Sequence, residues 1–166
     1  SAENEGPVDV RVGERRYDPD FDEIAHETDF RNPASNNRYF PLRIDLYETI
    51  PDTGGAGKNR GGNGLRIGYR FLEPGEISIH DDRWLTYPWG VNGGLPGARS
   101  KKTLVRADGT EELLPSKIDR VKVNEGDLLL SDTWGGGGCG DPFERDIEKV
   151  VFDVQAGLVT PQGARN

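Results

Sequence analysis

Two glycine runs constrain this chain more than any other feature. Residues 54–64 read GGAGKNRGGNG and residues 133–142 read TWGGGGCGDP. Neither run suits a regular helix or packed strand, because glycine has the most backbone freedom to lose and no side chain to bury. Four successive glycines, Gly135 to Gly138, mean either positive φ angles or a backbone that a ligand or another chain approaches closely. Glycine (23) and proline (11) together fill about a fifth of the 166 residues, against roughly 12% in average usage. A helical bundle is disfavoured, and the length allows one ordinary domain rather than a long multidomain enzyme.

Between the runs the apolar residues alternate. Leu42, Ile44 and Leu46 interleave with Arg43, Asp45 and Tyr47, and Leu65, Ile67, Tyr69 and Phe71 with Arg66, Gly68 and Arg70. This period of two predicts strands with one buried face. Ile77 and Ile79 suggest a third strand ending at His80-Asp81-Asp82. Asp108-Gly109 between Thr103–Arg106 and Glu111–Leu114 is a strong hairpin signal. Ile118, Val121 and Val123 precede a turn at 124–127, and Leu128 to Leu130 continue as a buried strand. Residues 84–100, WLTYPWGVNGGLPGARS, predict an ordered loop, since the aromatic content is costly to leave in water. The period then changes: Asp146 is an N-cap, Ile147, Val150, Val151 and Val154 share one helical face, and Gly157 is the stop. Thr160-Pro161 resembles the start of another helix. The expected fold is mainly β, of the α+β kind: an antiparallel β-rich domain over residues 39–166 with Gly-rich loops, one or two C-terminal helices, and an acidic extended arm over residues 1–38.

The arm holds most of the charge. The chain has 29 acids and 21 bases, a net of -8, and nearly all of that excess falls in the first 30 residues. Such a balance disfavours binding to nucleic acid or anionic lipid. No segment has the roughly 20 apolar residues of a membrane span, and no apolar run marks a signal peptide. The single cysteine, Cys139, permits no internal disulfide and no thiolate zinc cage. A cytoplasmic protein is the expectation. Apolar residues make up only 33%, which suggests burial completed against a partner.

Each candidate for chemistry has a structural alternative. Lys58 and Arg60 lie among the glycines of the first run, a composition that presents N–H groups and two cations to a phosphate or carboxylate. The run fails both the Walker and the GxGxxG patterns, so a long glycine connection is the alternative. Cys139 invites a nucleophile reading but has no visible base; a small packed residue is the alternative. His80 and Asp82 project to the same side of a strand end and are weak metal candidates, with a simple turn as the alternative. Trp84, Trp89, Trp134 and Tyr87 could line an aromatic pocket, with core or interface packing as the preferred alternative. No acid/base dyad or triad stands out.

The ordered set of segments says more than any one. PLRIDLYETIPDTGGAGKNRGGNGLRIGYRFLEPG, DDRWLTYPWGVNGGLPG, LPSKIDRVKVNEGDLLLSDTWGGGGCGDPFERD and VVFDVQAGLVT together resemble the C-terminal part of the hydantoinase B/oxoprolinase family. The pairing of an SGGAGxxRGG-like loop with a later GGGGxGDPxxR run is its signature. Thr53 stands where the family usually has serine, and Cys139 where an aromatic is common, which weakens the nucleophile reading.

The resemblance implies a subunit, or a C-terminal domain, of an ATP-dependent multi-subunit enzyme that phosphorylates a carbonyl or enol oxygen. An acetophenone carboxylase-like ketone carboxylase is the first expectation. A cyclic amide hydrolase of the hydantoinase or 5-oxoprolinase type is the second, and a non-catalytic scaffold subunit the third. It implies ATP and Mg handled by an A-type companion, and a divalent metal (Zn or Mn) in the B-type portion, with none bound by this chain alone. The implied partners are A-type and B-type subunits. A separately encoded small subunit and an excised domain both fit. The residues expected to contact an anion or a close-approaching chain are Lys58, Arg60, Arg83 and the backbone of Gly135, Gly136, Gly137 and Gly138.

Overall fold

The computed structural model describes residues 41–165, so the acidic arm expected over residues 1–38 lies outside the described residues. Among the described residues seven strands form: β1 (Leu42–Thr49), β2 (Leu65–Phe71), β3 (Gly75–His80), β4 (Lys101–Val105), β5 (Glu111–Leu113), β6 (Lys117–Val123) and β7 (Leu128–Asp132). They make a five-stranded sheet in the order β1-β2-β7-β4-β5 and a two-stranded sheet of β3 and β6. Every pairing is antiparallel. The strands sit where the alternation places them. In β1, for example, Leu42, Ile44 and Leu46 turn inward while Arg43, Asp45 and Tyr47 face water.

The core joins the two sheets. Phe71, Leu104 and Leu129 from the larger sheet meet Ile79, Val121 and Val123 from the smaller, and Leu114 closes one end. Two turns behave as their sequences require. Gly109 takes φ 87° in the β4–β5 hairpin and Gly126 takes φ 88° between β6 and β7, values open to glycine at little cost. The second turn leads from one sheet to the other rather than closing a hairpin. Asp127 holds it: 2% exposed, it accepts from the Asn124 and Ala107 N–H groups and from Arg106 Nη1, each at 3.0 Å. Burial raises the Asp127 pKa, but those three donors outweigh it and leave the carboxyl below its usual range.

Helix α1 (Ile147–Gln155) is capped by Asp146, whose side chain accepts from the Glu148 N–H. Gly157 ends it at φ 70°. The second expected helix is only a short 3-10 turn, Gly163–Arg165, after Thr160. Pro142–Glu144 forms another such turn. The apolar face of α1 is divided between the body and solvent. Val150, Asp153 and Val154 turn toward the body, with Asp153 buried. Ile147 (73% exposed), Val151 and Phe152 (63%) face solvent.

Candidate functional site

The two glycine runs come together with a third segment into one backbone lattice. Residues 53–64, 88–98 and 133–140 run side by side, and the bonds that join the three segments run between main-chain groups. Gly55 N–H donates to Gly136 O (2.8 Å), Gly136 N–H to Gly62 O (2.8 Å), Leu95 N–H to Ala56 O (2.7 Å) and Gly138 N–H to Leu95 O (2.9 Å). Val91 N–H donates to Gly138 O (2.9 Å), and Cys139 and Asn59 exchange both bonds at 2.9 Å. Extended glycine chains can approach this closely because no side chain separates them, as in collagen, where only glycine fits at the axis.

Steric crowding, not unusual dihedrals, sets the glycine requirement. None of Gly135 to Gly138 has a positive φ. A side-chain carbon added at Gly135, Gly137 or Gly138 would fall within 3.0 Å of the carbonyls of Thr53, Trp89 and Ala56 respectively. At Gly136 it would press on Gly62 N. The close approach expected along this run therefore comes from the chain's own backbone. Cys139 is a link in the same lattice, between Asn59 and Val91.

Arg60 meets an anion, and that anion is internal. Its Nε reaches Asp153 Oδ2 at 3.3 Å, and its Nη1 donates to Gly61 O (2.8 Å) and Asn63 Oδ1 (2.7 Å). Arg145 binds the same Asp153 oxygen at 2.6 Å and donates to Lys58 O at 3.0 Å. All three side chains are largely buried. This cluster fixes α1 to the glycine lattice and explains why the helix turns a carboxylate inward. Asp52 adds a second tie, accepting from Thr160 N (2.8 Å) and Thr160 Oγ1 (2.6 Å).

The remaining candidates are spread apart. Lys58 is exposed and pairs with Glu144 at 3.2 Å. Arg83 stacks on Trp89, 4.7 Å from the ring centre, with a positive φ of 53°. His80 Nε2 pairs with Asp119 at 3.1 Å while Asp82 pairs with Lys117 at 3.5 Å. Among the described residues no group of three or more His, Cys, Asp and Glu is placed to hold a metal ion. The described residues thus offer no ligand set for the divalent metal or the Mg that the resemblance implies for companion parts. The aromatic pocket does not form: Tyr87, Trp89 and Trp134 are exposed, and the loop over 84–100 is ordered by its backbone bonds instead. No helix of the described residues is long and apolar enough to cross a membrane.

Asp153, Arg145 and Asn63 were not among the residues singled out from sequence. A signal existed for two of them. Arg145 completes the GGGGxGDPxxR run, and Asp153 is an acid beside the apolar stripe of a helix otherwise read as packing through valines.

With this geometry in view, the family model described as hydantoinase B/oxoprolinase matches residues 25–142. The chain belongs to the hydantoinase B/oxoprolinase family. An uncharacterized protein of Methanocaldococcus jannaschii is 41% identical over 70% of this chain and 20% of its own length. A putative D-/L-hydantoinase of the B type from Pseudomonas sp. is 34% identical over 80% of this chain and 23% of its own. The acetophenone carboxylase delta subunit of Aromatoleum aromaticum is 26% identical over 81% and 24%. Among solved structures, the ATP-dependent caprolactamase from Pseudomonas jessenii superposes with a TM-score of 0.70 at 27% identity, over 81% of this chain and 24% of that one. The chain spans between a fifth and a quarter of the length of these relatives.

Proposed function

We propose that this chain is the C-terminal, B-type part of an ATP-dependent enzyme that opens a cyclic amide, and that it supplies a rigid platform rather than reacting groups. The observation that carries the platform role is the commitment of Arg60 to Asp153. A cation that binds a transferred phosphoryl group presents its donors to open space, whereas Arg60 gives Nε to Asp153 and Nη1 to Gly61 and Asn63, so that its charge is already paired within the chain. The glycine lattice likewise fills its own spaces.

Cyclic amides are supported by two relatives, one a putative hydantoinase component and the other an ATP-dependent caprolactamase. An amide carbonyl resists water at neutral pH. Transfer of the γ-phosphoryl group of ATP to its oxygen, with release of ADP, raises the electrophilicity of the carbon; water adds, the C–N bond breaks as the nitrogen takes up a proton, and a second water hydrolyses the resulting acyl phosphate to carboxylate and inorganic phosphate. In this reading ATP and its Mg are handled by an A-type companion, and the described residues of this chain hold the assembled parts in register.

A ketone carboxylase is the second reading, favoured by the likeness to the acetophenone carboxylase delta subunit. The same activation would apply there to an enol oxygen. The test is to co-express the chain with A-type and remaining B-type subunits and to measure ADP release. Amide hydrolysis predicts release that depends on a hydantoin or lactam. Release that requires acetophenone and bicarbonate instead would transfer the assignment to the carboxylase. ATP turnover by this chain alone would overturn the platform role.

A further inference from the structure

The loop between β3 and β4 presents an unusual surface. Leu85 is 78% exposed, Trp89 65% and Tyr87 50%. Arg83 lies over Trp89 and Arg99 over Tyr87, each guanidinium 4.7 Å from the ring centre. The loop is not loosely held: its two ends are tied by Ser100, which donates its N–H to Arg83 O (3.2 Å) and its hydroxyl to Asp82 O (2.8 Å). From Arg83 to Lys102 the sequence contains no acid. Large aromatic faces with arginines laid across them, in a stretch free of negative charge, suit a ligand that is both acidic and apolar.

The same chain contains such a segment. Residues 17–30 read YDPDFDEIAHETDF. They carry Asp18, Asp20, Asp22, Glu23, Glu27 and Asp29, no Lys or Arg, and the apolar side chains of Tyr17, Phe21, Ile24 and Phe30. The twelve residues from Phe30 to Leu42 span up to about 40 Å when extended. A domain of this size has a radius of gyration of about 14 Å, so a tether of that length covers most of the surface path around it.

We propose that residues 17–30 dock on the Arg83–Lys101 loop of their own chain, with acids on Arg83, Arg99 and Lys101 and aromatic rings on Leu85, Tyr87 and Trp89. This interaction is independent of the enzymatic reading above. It makes the arm an internal cover for an exposed apolar loop, and its ion pairs, being at the surface, are weak singly and sensitive to salt.

The test uses carbodiimide coupling of carboxylates to lysine amines in the full-length protein, mixed from unlabelled and 15N-labelled copies. The expected product joins peptide 17–30 to Lys101 within one copy. Its yield should exceed that at Lys117, Lys122 and Lys149, and should fall several-fold near 1 M salt, where the screening length is about 3 Å. Arg83→Glu with Arg99→Glu should abolish it while the melting temperature holds. Should that variant not fold, the salt dependence of the unaltered protein decides alone. Links mainly between differently labelled copies would make a second copy the occupant and overturn the proposal. Equal yields at all four lysines, or yields that salt does not change, would overturn it as well.

Discussion

At Gly137 the missing side chain would point into the Trp89 carbonyl, whereas at Gly62 nothing lies within 4 Å. The two positions give a matched pair. Gly137→Ala should cost about 3 kcal/mol or more, or prevent folding, because backbone must move. Gly62→Ala should change stability by less than about 1 kcal/mol, and thermal unfolding of the two variants reads the contrast. A second residue-scale prediction concerns Asp153. Replacing it with alanine leaves Arg60 and Arg145 largely buried without their shared anion, a change that costs roughly 3–5 kcal/mol and should release α1 first. Hydrogen exchange along 147–155 would show that release. Asp127 sets a third. Its folded-state pKa lies below that of the unfolded chain, so its stabilisation is present above about pH 4 to 5 and is lost as pH falls through the folded value. Asp127→Asn should therefore flatten the acid limb of a stability–pH curve while lowering the neutral plateau. The individual roles of these residues were only partly legible in the sequence. A cation in a glycine loop reads the same whether its anion is a ligand or, as for Arg60, a carboxylate 93 positions away.

Among the elements, the strands were readable because each obeys a local rule. Alternation places β1 and β2, and Asp108-Gly109 closes the β4–β5 hairpin with Gly109 at the positive φ such a turn demands. Helix α1 was readable in extent, since Asp146 and Gly157 cap it, but not in orientation. An apolar stripe normally faces inward, and here the helix sits with Asp153 buried, so that Val150 and Val154 turn toward the body while Ile147, Val151 and Phe152 point outward. It follows that Ile147→Glu and Phe152→Lys should leave the melting temperature of the chain within a few degrees of the parent. A large loss of stability in either would mean the helix packs through its apolar stripe. The glycine lattice was hidden for another reason. Its bonds join three segments distant in sequence, and no local periodicity announces which glycine run lies against which.

For the molecule as a whole, the lattice and the sheets form a body in which Arg60 and Arg145 pair with Asp153 and the glycines pack against the chain's own backbone. That economy is what a platform in a larger ATP-dependent assembly requires. The measurement that tests it most directly is kcat per assembled complex with Lys58→Ala in this chain, since Lys58 alone of the two glycine-run cations keeps its ammonium at the surface. The account predicts kcat and KM within about twofold of the parent and an unchanged stoichiometry by native mass spectrometry. A fall of a hundredfold or more in kcat, with the complex intact, would place a reacting phosphoryl group at this loop and contradict it.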